Sequence, residues 1–331
     1  VLRHGAGKSS EFGLTFAYPR SDQRGRGFLF AGEIHMRARF IVLVGSVVAA
    51  TGLGLGTMAY ATSHTNTNAA ISPTAIPLGD GHVSSTPKKG YVDSCSTTFP
   101  PAAPGTTPPW INTGNHTWDS ETKVAVEGSV SWPTASYSVT LVGNKRVIRT
   151  NDLPIDHTTG IFPIASSDPA HAYDANPNHI APDLFTWSLP ANPVEAKHPS
   201  CTSLGPIGVL SDGVVLYNAL DANGRDAAAH EVLDSCGGHP DQASRYHHHD
   251  VPPCILDKAT ARSTLVGYAI DGYGIYVERS ASGALLTNAN LDKCHGRTST
   301  VMWNGKETRI YHYDATLEYP YTVGCYHGTP I

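Results

Sequence analysis

The chain has 331 residues with 23 basic and 28 acidic side chains, a net charge of −5 with histidine neutral. That balance speaks against a nucleic-acid or anionic-membrane binder, which needs a basic surface. Six cysteines and 17 histidines turn attention to disulfide and metal chemistry instead.

In chain order, residues 1–35 hold scattered Arg and Gly, no hydrophobic periodicity and no cysteine. Met36 opens a second beginning: Arg37 and Arg39, an apolar run from Phe40 to Ala50, then Ala59-Tyr60-Ala61. This is the layout of a signal peptide with a small-x-small cleavage site. It predicts residues 1–35 as a non-translated extension, 36–61 as signal peptide and Thr62 as the mature terminus. The competing reading is an uncleaved, glycine-rich anchor, and only that reading brings a membrane partner. Removing residues 1–61 leaves 16 basic and 25 acidic residues, net −9, a surface that attracts cations rather than nucleic acid. All six cysteines remain, and an even set in an exported chain reads as a disulfide framework. Without any Cys-x-x-Cys, a metal–thiolate site is the weaker reading.

Residues 62–90 are rich in Ser, Thr, Asn and Pro, which predicts a disordered linker before a folded domain at 91–331. Val124, Val126, Val130 and Trp132 are strand-type residues. Tyr137 to Ile148 predicts a hairpin about Gly143-Asn144. Residues 153–206 are dense in Pro and Asn and predict long loops with a short strand at Leu184–Trp187. Asp212-Gly213 and Asp271-Gly272 sit between apolar runs and predict hairpins, the second with a type I′ turn. One helix is expected, opened by Asp226, running through Ala227-Ala228-Ala229 to Val232 and Leu233, and ended by Gly237-Gly238. The predicted class is mainly β: a disulfide-bonded, β-sandwich-like domain with few short helices, built as two related halves.

The halves are legible as a duplication. About 205–254 reads Asp212-Gly213, Tyr217, Leu233-Asp234-Ser235-Cys236, Tyr246-His247-His248-His249, Cys254. About 265–325 reads Asp271-Gly272, Tyr276, Leu291-Asp292-Lys293-Cys294, Tyr311-His312-Tyr313-Asp314, Cys325. Equivalent cysteines should close equivalent loops, which predicts Cys236–Cys254 and Cys294–Cys325 and leaves Cys95 with Cys201. These landmarks resemble the YHYH-domain family, named for its tetrapeptide, over roughly residues 139–328. The stretch from Asn151 to His157 resembles the family's segment before the repeats. The resemblance implies a domain and no established reaction. The chain departs from the tetrapeptide at His248, in place of Tyr, and at Asp314, in place of His.

If each tetrapeptide is a strand, His247 and His249 share one face while Tyr246 and His248 share the other. In the second copy His312 and Asp314 share the corresponding face. Packing about a pseudo-twofold would bring His247, His249, His312 and Asp314 together as ligands for Zn²⁺, Cu²⁺ or Fe²⁺, with Cu or Zn foremost. His230, His239, His295 and His157 are further candidates. Asp212 and Asp271 read as turn residues, and Asp234 and Asp292 as caps or as carboxylates that orient a histidine or hold Ca²⁺. Gly-x-Ser-x-Gly, His-Glu-x-x-His and a phosphate-binding glycine loop are absent from the sequence. The leading expectation is an exported metal-binding protein of open reaction. One alternative is a non-catalytic module binding a glycan, protein or small molecule through Trp110, Trp118, Trp132, Trp187 and Trp303, its histidines merely structural. The other is a metal-free His/Asp hydrolase.

Overall fold

The computed structural model describes residues 70–102 and 107–331. The start-site, signal-peptide and anchor expectations lie outside the described residues. Residues 70–90 correct the linker expectation, because they belong to the folded domain. Strands β1 (Ile76–Pro77) and β4 (Ile111–Asn112) flank β5 (Thr117–Trp118), and β2 (Val83–Ser84) pairs in parallel with β3 (Val92–Asp93). Few apolar residues suffice because each lands on a large partner: Ile76, Leu78 and Val83 join a cluster with Trp110, Trp118 and Tyr319. The Gly79 amide donates to the buried Asp226 carboxylate at 2.9 Å, tying this segment to the first repeat.

A three-stranded antiparallel sheet follows: β6 (Tyr137–Val142), β7 (Lys145–Thr150) and β8 (Phe185–Pro190). Gly143-Asn144 is the two-residue link expected, with Gly143 in the left-handed region at φ +60°. The valines before it form only isolated bridges, Val126 to Asp234 and Val130 to Thr159.

The repeats build one eight-stranded sheet. Copy one supplies β9 (Pro206–Leu210), β10 (Val215–Tyr217), β11 (Gly238–Pro240) and β12 (Tyr246–His248). Copy two supplies β13 (Ser263–Ala269), β14 (Gly274–Glu278), β15 (Gly296–Trp303) and β16 (Lys306–Asp314). The strand order is β11-β12-β10-β9-β13-β14-β16-β15, so the second half mirrors the first. In both halves the hairpin is antiparallel and the Tyr-His strand runs parallel to its second strand. The register at the centre shows the symmetry. Val209 lies opposite Tyr268, Gly208 opposite Ala269 and Leu210 opposite Gly267. Aligning Asp212 with Asp271 makes Gly208 equivalent to Gly267 and Leu210 to Ala269, so the flanking pairs exchange about a pseudo-twofold through Val209 and Tyr268. A Cβ at Gly208 would lie 2.7 Å from the Tyr268 carbonyl oxygen, and one at Gly267 2.6 Å from that of Val209. Glycine in both copies lets the halves join.

The sandwich-like layering is real, but its layers are not the two halves, which lie side by side in one sheet. The three-stranded sheet packs over the centre, with Ile148 and Leu189 against Val209 and, around them, Trp187 and Tyr268. Arg146 is sandwiched there, its guanidinium 4.3 Å from the Tyr268 ring and 4.2 Å from that of Trp303. The opposite face buries Leu216, Ile275, Tyr311 and Tyr313 under α2 (Pro253–Leu256) and the C-terminal segment.

Two local expectations change. The Asp-Gly hairpins are not type I′: only Gly213 (φ +90°) and Gly272 (φ +94°) take positive φ, and Asp does not. Instead the Gly213 amide bonds the Leu210 carbonyl while the Leu210 amide bonds that of Val214, a three-residue link with glycine in the left-handed position. Asp is thereby free to bend its carboxylate back onto the backbone. The helix is a single turn, α1 (Ala227–His230), with Glu231 already extended at φ −81°, ψ 145°. The disulfides are Cys95–Cys201, Cys236–Cys254 and Cys294–Cys325, the pairing the duplication predicts.

Candidate metal centre

The first and third letters of each tetrapeptide anchor the strand. The Tyr246 hydroxyl donates to Asp234 at 2.9 and 3.0 Å, and that of Tyr311 to Asp292 at 3.1 Å. The same two carboxylates cap the Leu-Asp-x-Cys turn, accepting from the amides of Cys236 and Gly238 in one copy and Cys294 and Gly296 in the other. At the third letter, the Tyr313 hydroxyl donates to Asp271 at 2.5 Å. His248 keeps that bond, its Nε2 donating to Asp212 at 3.0 Å while Nδ1 donates to the Gly237 carbonyl at 3.0 Å. Burial opposes charge on this ring, but Asp212 prevails and its pKa is pushed up to about 9. The chain's departure from the tetrapeptide at His248 is therefore a like-for-like replacement of a hydroxyl donor.

The second and fourth letters face the other way. In copy one, His247 and His249 are joined by His239, which sits directly across the ladder on β11. The Nε2 atoms of His247 and His249 are 3.1 Å apart, and those of His239 and His249 3.5 Å. Glu231 completes the group, its Oε2 2.9 Å from Nε2 of His249 and 3.2 Å from that of His239. Four donors around an ion with bonds of 2.0–2.1 Å would sit about 3.3 Å apart at the corners of a tetrahedron, so these spacings fit. The outer nitrogens fix the tautomers. Nδ1 of His247 donates to the Arg245 carbonyl at 3.1 Å, and Nδ1 of His249 to that of Asn218 at 2.6 Å. With Nδ1 engaged from behind, each Nε2 faces inward, and two such atoms 3.1 Å apart share either a proton or a metal ion. The Glu231 Oε2 atom is buried and makes no hydrogen bond despite its short distances, as expected of an oxygen aimed at a shared point.

The electrostatics distinguish the rings. Burial alone would raise the Glu231 carboxyl, yet His239 and His249 hold it well below its ordinary value, and Glu231 in turn raises His249 against its burial, so without a metal a proton shared with Glu231 sits on His249. Burial, with His239 and His249 alongside, holds His247 well below the usual imidazole range. The Tyr217 ring stacks on His247 at 4.0 Å between centroids, and its hydroxyl donates to Asp241 at 2.8 Å, so the imidazole cannot swing away. All four donors line a cleft of about 550 Å³ together with Asn176, Asn178, Asp241 and Arg245.

The four residues expected to meet do not. His312 and Asp314 form a separate cluster with Glu278. Four strands lie between β12 and β16, about 24 Å at the usual strand spacing. The cause is the direction of the pseudo-twofold, which passes through the central strand pair and keeps both clusters on one face, at opposite sides of the sheet. In copy two, Arg297 stands where His239 stands, across from His312 as His239 is across from His247. Its Nε and Nη2 both lie 2.8 Å from Oε2 of Glu278.

Of the further candidates, His239 joins this cluster, and His157 groups instead with Asp212 and His248. His230 pairs with Asp80 at 2.8 Å. His157 lies 3.9 Å from Asp212 on the anchoring face, its ring beside those of Tyr246 and His248. His295 is buried and bonds Thr316 at 3.0 Å. Sequence reasoning missed Glu231, Glu278, Arg297 and the role of Tyr217. Tyr217 and Tyr276 were repeat landmarks and, once the strands were aligned, marked the residues beside the motif. Glu231 carried no such signal, because it depends on α1 stopping after one turn.

Fold and site together define a mainly β, disulfide-bonded domain with an internal twofold and a buried histidine cluster on a cleft. Residues 186–290 match the family model described as YHYH protein, so the chain carries a domain of the YHYH family. The match takes in all of copy one and stops before the second tetrapeptide at 311–314. Comparison with curated proteins and with solved structures finds no match.

Proposed function

We propose that this chain is an extracytoplasmic metal-binding protein whose YHYH domain holds one transition-metal ion at His239, His247, His249 and Glu231. The observation that carries it is the convergence of three imidazoles whose donor atoms lie within 4.8 Å of one another, with a Glu231 oxygen 2.9 Å from His249 and 3.2 Å from His239 and two rings locked from behind by backbone carbonyls. Imidazole donors favour Zn²⁺ or Cu²⁺. Four protein donors fill a tetrahedral sphere, which suits retention of Zn²⁺, whereas a tetragonal Cu²⁺ would keep a position open toward the cleft. Export is supported by the three disulfides. Among the described residues no helix is long and apolar enough to cross a membrane. Amino-terminal sequencing of the mature protein should begin at Thr62, and an intact Val1 terminus would overturn the processing scheme.

Calorimetric titration of metal-free protein tests the site. His249→Ala and the double change His239→Ala/His247→Ala should each weaken Zn²⁺ or Cu²⁺ binding at the copy-one site by at least 100-fold, while His230→Ala, outside the cluster, leaves it unchanged. Because the ligands must be neutral imidazoles, affinity should fall on acidification, with His249 protonated first because Glu231 raises its pKa and His247 last because burial lowers it. Undiminished binding by the double variant would refute the assignment.

A further inference from the structure

The second cluster stands on the same strands as the first, yet two of its positions carry a different chemistry, Arg297 for His239 and Asp314 for His249. Both clusters sit on the same face of the sheet, each at the parallel junction of a Tyr-His strand with a hairpin strand. Each has a tyrosine ring against the second-letter histidine: Tyr217 on His247, Tyr276 on His312 at 4.9 Å. In each, Nδ1 of that histidine donates to the carbonyl two residues earlier, Arg245 in one copy and Ile310 at 3.0 Å in the other. In each, the histidine's Nε2 faces a group of ligating side chains within a carboxylate's reach. Copy two offers Glu278 Oε2 at 3.3 Å and Asp314 Oδ2 at 3.7 Å from Nε2 of His312. Both Asp314 oxygens are buried without a hydrogen-bond partner. By donor type and spacing this is a metal-capable set.

What fills it is Arg297. Its guanidinium lies on the inward oxygen of Glu278, with Nε 3.8 Å from Asp314, and so brings a fixed positive charge to the group that faces His312. In copy one the equivalent position supplies an imidazole, which can offer a lone pair to an ion shared with Glu231, His247 and His249. Arg stays protonated at all accessible pH and has no lone pair to offer a metal.

We infer that position 239 in copy one and its equivalent 297 in copy two decide which half takes a metal: Arg297 is a built-in cation standing in for the ion, so the chain binds one metal rather than two. This rests on the reading of copy one as a metal centre. It assigns copy two to structure, an ion-paired counterpart that holds the far edge of the sheet without a cofactor. The two roles are interchangeable through a single side chain in each half.

Stoichiometry decides it. Purified full-length mature protein, stripped of metal and titrated with Zn²⁺, is followed by calorimetry and by elemental analysis after gel filtration, with circular dichroism as a check on folding. Wild type should bind one equivalent, and Arg297→His two. His239→Arg should bind none and keep a wild-type melting transition, because the introduced guanidinium pairs with Glu231. Two equivalents on wild type would overturn the inference, as would one equivalent on folded Arg297→His. Should Arg297→His not fold, His239→Arg still decides: a folded variant that keeps its metal overturns the inference. A wild type that binds nothing sinks the copy-one reading separately. In that case one equivalent gained by Arg297→His still supports the role of position 297, and none overturns it.

Discussion

At the scale of residues, alternation along a strand carried the reading furthest. His247 and His249 do point one way and Tyr246 and His248 the other, because a β-strand leaves no alternative once one face is buried. What alternation does not give is the partner across the ladder. His239 was legible only as one histidine among several beside the repeat landmarks, while Arg297, set by pairing register, and Glu231, set by a backbone that leaves the helix after one turn, do not stand out in a single chain. His295 illustrates the difference between a histidine near a landmark and a histidine in a site. It takes a left-handed conformation, φ +69°, at the position where copy one has Gly237 (φ +72°). Burial pushes its pKa down to about 3, below the ordinary value near 6.5. Its neutral form thus stabilises the fold fully above pH 6.5, and that contribution is lost as pH falls toward 3, at up to about 1.4 kcal/mol per pH unit. Asn tolerates the left-handed region, so His295→Asn should fold and lose stability less steeply than wild type between pH 6.5 and 4 in urea titrations. Parallel pH profiles for the two proteins would show that His295 is not the group being protonated.

At the scale of elements, the hairpins were legible because Gly and Asp punctuate them, while their turn type was not. Asp212 and Asp271 serve two masters: one oxygen holds the amide of Val214 or Tyr273, and the other takes the third letter of the tetrapeptide. That second demand excludes the positive φ a type I′ turn would impose on Asp. The helix was over-extended for a related reason. Ala227 to Leu233 has helical propensity, but Glu231 is drawn to His239 and His249 and Asp226 is bonded to Tyr321 and Gly79, so tertiary contacts override propensity. The glycines after each cysteine carry an equally specific constraint. A Cβ at Gly238 would lie 2.3 Å from the Tyr246 ring, and one at Gly296 2.4 Å from the Tyr311 hydroxyl. Gly238→Ala should therefore displace the tyrosine from Asp234 and cost about 1–3 kcal/mol, the usual range for overpacking. It should also weaken metal binding, since β11 carries His239. Chemical denaturation with a companion metal titration checks both, and a variant as stable as wild type would mean that Tyr246 does not hold the strand.

At the scale of the molecule, the duplication and its disulfides were readable because five landmarks recur in order. The assembly of the copies was not. Nothing in a repeat states whether its twofold lies in the sheet plane or perpendicular to it, and only the Gly208 and Gly267 contacts at the central pair show which edges join. The outcome is one sheet with two equivalent clusters about 24 Å apart at the usual strand spacing, of which one has the donors of a metal centre and the other a guanidinium. The most direct test of this account is anomalous diffraction at the metal's absorption edge from crystals of the Zn²⁺- or Cu²⁺-loaded protein. The account predicts a single peak about 2.0–2.2 Å from Nε2 of His239, His247 and His249 and from the Glu231 carboxylate. A map with no peak among these four side chains would contradict it.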